Sequence, residues 1–215
     1  MKNILFLGNS FTFFNDLPKM LRALCTSEGI EVCTDSVTRG GAYLHQFTDP
    51  ADELSARLSA KITERKWDIV ILQDQSANPA KKPDDLVSAS KKIAALFPEG
   101  ASFLMYQTWS YRADTDKLRS VKMTYPEMRR TLRDGYQAAA SALGCTCVPV
   151  GDAFALASSA GIDVYCPDDF HPNPAGTFTA ACLFMRTVFG TFPSSAPADL
   201  DPITAGICRS CAASC

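Results

Sequence analysis

Short apolar runs alternate along the chain with segments of helical periodicity, and this alternation limits the fold more than any other feature. Five runs bounded by turn residues are typical of strands, at residues 3–7, 31–37, 68–73, 102–107 and 146–150. Segments with apolar residues three or four apart predict helices at residues 17–29, 52–65, 83–97, 125–143 and 174–189. Strands that alternate with helices indicate βαβ units and a parallel sheet. We therefore expect an α/β fold, a three-layer α/β/α sandwich around a five-stranded parallel sheet.

The length of 215 residues fits one domain of ordinary size, and we predict a single domain over residues 1–215. Its last segment, 191–215, begins as a proline-containing loop. Asp201-Pro202 then predicts the start of a short helix. Thiolates at the spacing of Cys208 and Cys211 can bind zinc, but no fourth ligand lies nearby in the sequence. We interpret these cysteines, with Cys215, as small apolar residues on one helix face.

The charge and cysteine patterns limit the possible binding partners and the cellular compartment of the protein. With 21 Lys and Arg against 23 Asp and Glu, the chain has no overall positive field to attract nucleic acid or an anionic membrane. No apolar run approaches the roughly 20 residues of a spanning helix, and the N-terminus lacks the features of a signal peptide. The nine cysteines are an odd number without a secreted-scaffold spacing. We expect a cytoplasmic protein with reduced thiols.

A serine follows the first predicted strand, in the sequence Gly8-Asn9-Ser10-Phe11-Thr12. Ligands of parallel α/β folds bind at the carboxyl ends of the strands, so a turn here can present the Ser10 hydroxyl at the rim of the sheet. A lone serine in such a turn is more often a capping residue.

A second group of polar residues precedes the last long helix, with Asp168 and His171 three residues apart in Asp168-Asp169-Phe170-His171-Pro172. A serine hydroxyl becomes a good nucleophile when an imidazole takes its proton and a carboxylate orients that imidazole. Asp168 and His171 could supply both groups from one turn. The alternative is that His171 only caps the helix, and the pairing with Gly-Asn-Ser argues against it.

These two motifs resemble the first and last blocks of the SGNH (GDSL-like) hydrolase superfamily. The resemblance extends over about residues 3–190 and is greatest to an uncharacterised bacterial branch with L-x-G-N-S-F-T and T-W-x-Y motifs, which residues 5–12 and 108–111 match. It implies the flavodoxin-like SGNH fold. It also implies that Ser10 is the nucleophile, His171 the general base and acid, and Asp168 the orienting carboxylate. Sequence alone leaves a swap of Asp168 with Asp169 open.

The same resemblance implies an oxyanion hole with three donors. One is the backbone N–H of Ser10, and a second is the N–H of a glycine after the second strand, for which Gly41 is preferred over Gly40. The family's third donor is an asparagine side chain after the third strand, and this chain departs from the pattern there. We place Gln75 in that role, with Gln73 as the alternative because both would point to one face of an extended chain.

The substrate is predicted to be a small-molecule ester with a short acyl group, most simply an O-acetyl group on a carbohydrate or glycoconjugate. Asn9, Gln73, Trp109 and Tyr111 are the expected substrate-binding residues, and a basic stretch at 112–133 could attract an anionic substrate. A lipase, thioesterase, acyltransferase or non-catalytic relative of the same fold is the alternative. No phosphate-binding loop or metal-ligand cluster is present in the sequence, so neither a cofactor nor a catalytic metal is implied. His45 is assigned no catalytic role.

Overall fold

Five parallel strands form one sheet at the centre of the molecule. In a computed structural model that describes all residues 1–215, the strands are β1 (Lys2–Gly8), β2 (Val32–Thr38), β3 (Ile69–Leu72), β4 (Ser102–Tyr106) and β5 (Thr146–Val148). Their order is β2-β1-β3-β4-β5, and each neighbouring pair is parallel. The predicted α/β fold with a five-stranded parallel sheet is confirmed.

Ten helices connect and cover the strands. They are α1 (Ser10–Phe13), α2 (Leu17–Ser27), α3 (Glu53–Glu64), α4 (Asn78–Lys81), α5 (Pro83–Ala94), α6 (Asp116–Ser120), α7 (Tyr125–Leu143), α8 (Val150–Ser159), α9 (Pro174–Phe189) and α10 (Pro202–Ala213). Two short 3-10 turns lie at Phe14–Asp16 and Leu44–Thr48. None of the helices combines the length and the apolar character needed to cross a bilayer.

The sheet is buried on both faces because side chains alternate along each strand. In β1, Ile4 and Phe6 belong to the larger apolar cluster, which includes buried residues of α2, α8, α9 and α10. Leu5 and Leu7 belong to the second cluster, which includes buried residues of α3 and α5. Helices on the two sides of one sheet give the three layers that the alternating pattern predicts.

The strand register brings three chain segments to one edge of the sheet. Gly8 at the end of β1 pairs with Thr38 at the end of β2, and Leu7 pairs with Leu72 at the end of β3. The loops that follow these three strands therefore leave the sheet side by side, in agreement with the expected position of a site.

Helix α8 is an element that the sequence analysis missed, because it predicted a strand through Val150. The strand ends at Val148 instead, since Pro149 has no backbone N–H to donate to the sheet and leads into the helix. Six of the ten α8 residues are buried, so the segment lacks the one-sided apolar pattern that marks a surface helix.

The predicted C-terminal helix is present as α10. The Asp201 carboxylate accepts the backbone N–H groups of Ile203 and Thr204 and so caps the helix. Cys208 and Cys211 are buried on its inner face, and burial raises the pKa of both thiols. All nine cysteines are free thiols.

Candidate active site

Ser10 is the first residue of the short helix α1, directly after β1. The Asn9 side chain caps this helix by accepting the Phe11 backbone N–H at 3.1 Å. The first N–H groups of a helix have no carbonyl partner within the helix. The Ser10 backbone N–H is therefore free to serve a ligand, and its hydroxyl lies at the sheet edge, where the sequence motif predicted it.

Gln73, the first residue after the neighbouring strand β3, holds this turn. Its Oε1 accepts the Asn9 backbone N–H at 2.9 Å and the Thr12 hydroxyl at 3.0 Å. A Cβ at Gly8 would lie 2.5 Å from that oxygen and 2.6 Å from the Thr12 hydroxyl oxygen. Glycine at position 8 thus leaves room for Gln73 to reach the turn that carries Ser10.

His171 connects the serine to a carboxylate in one hydrogen-bonded line. Its Nε2 lies 2.8 Å from the Ser10 Oγ, and its Nδ1 lies 2.5 Å from the Asp168 Oδ2. The second Asp168 oxygen accepts the backbone N–H groups of Phe170 and His171. Burial of the Asp168 carboxyl opposes ionisation, but the hydrogen bonds from the His171 side chain and from the two N–H groups outweigh it and lower its pKa. Asp168 is therefore an anion at neutral pH.

Asp169 has a different place from Asp168. Its backbone is left-handed, with φ of 68°, and this turns its side chain toward Arg112. The Arg112 Nε lies 2.8 Å from the Asp169 Oδ1, and the Arg112 backbone N–H donates to the Asp169 carbonyl. Asp168, and not Asp169, is the aspartate that contacts His171. The structure therefore does not contain the exchange of these two aspartates that the sequence left open.

Three phenylalanine rings surround the His171 imidazole. Phe14 is stacked on it with 4.1 Å between the centroids, and the Phe170 ring is tilted against it at 3.9 Å. Phe11 contacts it edge-on at 5.8 Å. These contacts restrict the orientation of the imidazole in addition to its two hydrogen bonds.

The glycine loop after β2 lies beside the serine. Gly41 has a left-handed φ of 67°, which favours glycine, and its backbone N–H donates to no group of the protein. Asn9 fixes this loop, because its Nδ2 donates to the Ala42 carbonyl at 3.0 Å and to the Asp74 carbonyl at 3.3 Å. One side chain thereby ties together the loops after β1, β2 and β3.

The buried residue Asp74 also connects these loops. The sequence analysis did not select it as a site residue. Its carboxylate accepts the Leu44 backbone N–H at 2.8 Å and the Asn78 side-chain amide at 2.7 Å. The residue is only 1% exposed, and burial raises its pKa despite these hydrogen bonds. A polar residue directly after a buried strand was the sequence signal available for it.

Gln75 lies in the wall of the cavity that Ser10 and His171 also line, whereas Gln73 does not. The Gln75 Oε1 accepts the Ala77 backbone N–H at 3.0 Å, which leaves the Nε2 amide as its free donor group apart from a 3.2 Å contact with the Ser76 hydroxyl. The expectation that Gln73 and Gln75 share a face is wrong because β3 ends at Leu72, so the strand alternation does not continue through them.

The catalytic cavity, as we call it, has a volume of about 280 Å³. Its wall is formed by Asn9, Ser10, Phe11, Phe14, Gly40, Gly41, Gln75, Ser76, Phe170 and His171. It thus brings together the serine and histidine of the two sequence motifs, both candidate glycines and one of the two candidate glutamines. The aromatic part of the wall comes from phenylalanines that the sequence analysis did not select.

All four residues expected to bind the substrate are engaged in contacts within the protein. Trp109 is 1% exposed, stacked between Phe11 and Phe154, and its indole N–H donates to the Phe170 carbonyl. Gln73 is also 1% exposed, and its amide is used inside the protein.

The other two expected residues are similarly engaged. Asn9 lines the catalytic cavity, but both ends of its amide bind backbone groups. Tyr111 is 3% exposed, and its hydroxyl lies 2.7 Å from the Ser76 hydroxyl. Trp109, Gln73 and Asn9 therefore position the site and do not offer free groups to a substrate.

Most of the basic stretch at 112–133 is neutralised locally. Arg129 and Arg133 both pair with Asp152, and Arg119 pairs with an acidic neighbour on its own helix. The exception beside the site is Lys117, which forms no ion pair and lies 3.7 Å above the Phe170 ring. The stretch as a whole does not face the catalytic cavity.

No protein-family model and no curated protein matches the chain, but solved structures do. A protein from Slackia heliotrinireducens assigned to the SGNH hydrolases is 31% identical, over 86% of this chain and 98% of its own, with a TM-score of 0.71. A DUF4886 family protein from Bacteroides uniformis is 20% identical, over 98% of this chain and 93% of its own, with a TM-score of 0.84.

An acetyl-xylooligosaccharide esterase from Geobacillus, in a mutant form, is 15% identical over 90% of this chain and 97% of its own, with a TM-score of 0.63. The two structures at 20% and 15% identity show the shared fold alone.

Proposed function

The chain belongs to the SGNH hydrolase superfamily, and on that premise we propose that it is a serine esterase with Ser10 as nucleophile. The observation that carries the proposal is the unbroken line of contacts from the Ser10 hydroxyl through His171 to Asp168, at 2.8 and 2.5 Å. These distances are within hydrogen-bonding reach, as a nucleophile, its general base and an orienting carboxylate require. A non-catalytic relative would have no need of this geometry.

In the first half of the reaction, the Ser10 Oγ attacks the ester carbonyl carbon and its proton passes to the His171 Nε2. The ionised Asp168 stabilises the imidazolium that results. When the tetrahedral intermediate collapses, the His171 Nε2 gives that proton to the leaving alcohol oxygen. The acyl group stays on Ser10.

In the second half, water gives a proton to the His171 Nε2 and attacks the acyl carbon. Collapse of the second intermediate returns the proton to the Ser10 Oγ and releases the carboxylic acid. In both halves the developing oxyanion is stabilised by the N–H groups of Ser10 and Gly41 and by the Gln75 Nε2. Each such donor contributes about 3–4 kcal/mol in a preorganised site.

The size of the catalytic cavity supports a short acyl group. Its volume of about 280 Å³ is close to the lower limit of the roughly 300–1,000 Å³ that is usual for ligand pockets. Phe11, Phe14 and Phe170 form its apolar wall and would contact an acetyl methyl group. A fatty acyl chain would extend beyond this cavity toward charged side chains such as Lys81, Lys82 and Asp85, which makes a lipase or a long-chain thioesterase the weaker candidate.

An O-acetyl group on a carbohydrate or glycoconjugate remains our proposal for the substrate. Trp109 does not support it, because its ring is buried, and the almost fully buried Tyr111 ring faces a second cavity and not the catalytic one. The remaining support is the small catalytic cavity and a second cavity beside it, which also has Gln75 in its wall and is lined by the polar residues Lys81, Lys82 and Asp85. The acetyl-xylooligosaccharide esterase has the same fold and is an example of an enzyme named for this substrate class. Its substrate is not thereby the substrate of this chain. Transfer of the acyl group to an acceptor other than water would use the same residues.

The proposal is tested by hydrolysis of p-nitrophenyl esters of increasing chain length, with acetylated sugars alongside. We expect kcat/KM to be highest for acetate and to fall with chain length as the acyl group outgrows the cavity. The Ser10→Ala variant is the blank. A higher kcat/KM for octanoate than for acetate would contradict the short-acyl assignment and favour a lipase or thioesterase.

A further inference from the structure

A second cavity adjoins the catalytic cavity, with Gln75 in the wall of both. This side cavity has a volume of about 500 Å³, and its wall includes Tyr43, His45, Gln75, Lys81, Lys82 and Asp85. The Gln75 side chain, the proposed oxyanion donor, therefore lies at the boundary between the two cavities. None of its residues takes part in the catalytic mechanism except Gln75.

The side cavity carries an excess of positive charge. Lys82 and Asp85 face each other with 3.9 Å between Nζ and Oδ2, so these two charges largely offset each other. Lys81 has no acidic group within ion-pair distance. The Asp74 carboxyl is buried and bound by the Leu44 backbone N–H and the Asn78 side-chain amide. The Lys81 charge thus has no ion-pair partner in the cavity wall.

A second lysine without an ion pair lies against one ring from the wall of each cavity. The Lys117 Nζ is 5.3 Å from the centre of the Tyr111 ring, which lines the side cavity, and 3.7 Å from that of the Phe170 ring, which lines the catalytic cavity. It forms no ion pair, although Asp116 beside it in the chain pairs with Arg119. One unpaired lysine, Lys81, therefore lines the side cavity, and a second, Lys117, contacts aromatic rings that belong to the walls of the two cavities.

The side cavity is an adjoining space into which the alcohol half of a bound ester can extend. The two cavities share the Gln75 side chain, so an alcohol group that leaves the catalytic cavity on that side enters the side cavity. Surface cations attract an anion over several ångströms and raise its local concentration.

We propose that the side cavity binds the alcohol half of the substrate and favours an alcohol that carries a carboxylate. This inference rests on the proposed esterase function and names the leaving-group side of the same site. Lys81 and Lys117 are the residues that would provide the preference. Each partly exposed lysine is expected to contribute a factor of about three, which gives a preference of roughly tenfold at low salt.

The test compares kcat/KM for phenyl acetate and for 3-acetoxybenzoate, its carboxylated analogue, each divided by its rate of hydroxide-catalysed hydrolysis. We expect the wild-type ratio to favour the carboxylate by roughly tenfold at low salt and to shrink as sodium chloride is added. The double variant Lys81→Met Lys117→Met should bring the ratio close to one. Lys91→Met, an exposed lysine on α5 outside both cavities, is the matched control and should keep the wild-type ratio.

Two results separate this inference from the proposed function. Turnover of phenyl acetate by wild type, lost in Ser10→Ala, without any preference for the carboxylate would overturn the inference and leave the esterase proposal standing. A preference that survives the double lysine variant would also overturn it. If neither ester is hydrolysed, the proposed function fails and the inference falls with it.

Discussion

The imidazole of His171 lies flat against the phenyl ring of Phe14, with 4.1 Å between the centroids and 3° between the planes. The face of a phenyl ring is negative and attracts a cation placed over it. The proposed reaction makes His171 a cation each time it takes the Ser10 proton. Phe14 is therefore placed to stabilise the charged form of the base as well as to hold its plane.

Replacing Phe14 tests this relationship. We expect Phe14→Leu to lower kcat for a short acetate ester by roughly 5- to 30-fold, because leucine keeps apolar bulk but has no ring face, a loss of about 1–2 kcal/mol. Phe14→Tyr retains the ring face and should keep most of the activity. Equal losses in the two variants would show that the stacking geometry does not matter.

The two glutamines after β3 should have separable effects. Gln75→Ala should lower kcat by roughly 100-fold with little change in KM, because an oxyanion donor acts mainly in the transition state. Gln73→Ala should instead lower the free energy of unfolding by about 1–3 kcal/mol, since it leaves the buried Asn9 N–H without an acceptor. Steady-state kinetics and urea unfolding measure the two effects. If Gln73→Ala lowered kcat without changing the free energy of unfolding, and Gln75→Ala left kcat unchanged, Gln73 would be the oxyanion donor.

The adjacent aspartates offer a matched pair of variants. Asp168→Asn should lower kcat by about 10⁴-fold, because the amide no longer orients and stabilises the His171 imidazolium. Asp169→Asn is the control. Asparagine tolerates the left-handed backbone at this position, and only the contact with Arg112 is lost. We expect less than about a tenfold change there. Comparable losses in the two variants would argue against Asp168 as the orienting group.

The Asp152 carboxylate should make stability depend on pH. Burial disfavours its ionisation, but hydrogen bonds from Arg133, Arg129 and Gln107 outweigh this and lower its pKa in the folded protein. A lowered folded-state pKa contributes stability above the unfolded pKa of about 3.9, and that contribution is lost as the pH falls toward the folded value.

The difference in unfolding free energy between wild type and Asp152→Asn should therefore be largest at neutral pH and shrink below about pH 4. Urea unfolding of both proteins between pH 3 and pH 7 measures it. A difference that stays constant over this range would mean that the two arginines do not stabilise the ionised carboxylate.

The parts of the site that could be predicted from the sequence are those with distinctive chemistry in short motifs. Ser10 and His171 lie 161 positions apart, yet each follows a recognisable local pattern, and the parallel sheet explains why they meet. Gly41 is predicted only through the SGNH resemblance, which implies an N–H donor from a glycine after the second strand; its left-handed φ of 67° comes from the structure. These inferences depend on short motifs beside predicted strands and helices, and not on packing.

The remaining residues could not be predicted because their roles depend on packing. Trp109 follows β4 in a polar segment, and such a position predicts a cleft residue as readily as a core residue. Its burial depends on Phe11 and Phe154, which come from distant parts of the chain. The difference between Gln73 and Gln75 depends on β3 ending at Leu72, and strand ends are the least predictable feature of a sequence.

Labelling with a fluorophosphonate probe is the most direct measurement of the central claim that Ser10 is an activated nucleophile. The serine oxygen attacks phosphorus, fluoride leaves, and the proton passes to His171, so the probe reports the first step of the proposed reaction. We predict one phosphonate per wild-type chain, located on Ser10 by peptide mass spectrometry, and labelling retained in Ser76→Ala, whose serine lines the same cavity. Ser10→Ala should remain folded by circular dichroism and take up no probe. Equal labelling of Ser10→Ala and wild type, or a phosphonate on another residue, would contradict the account.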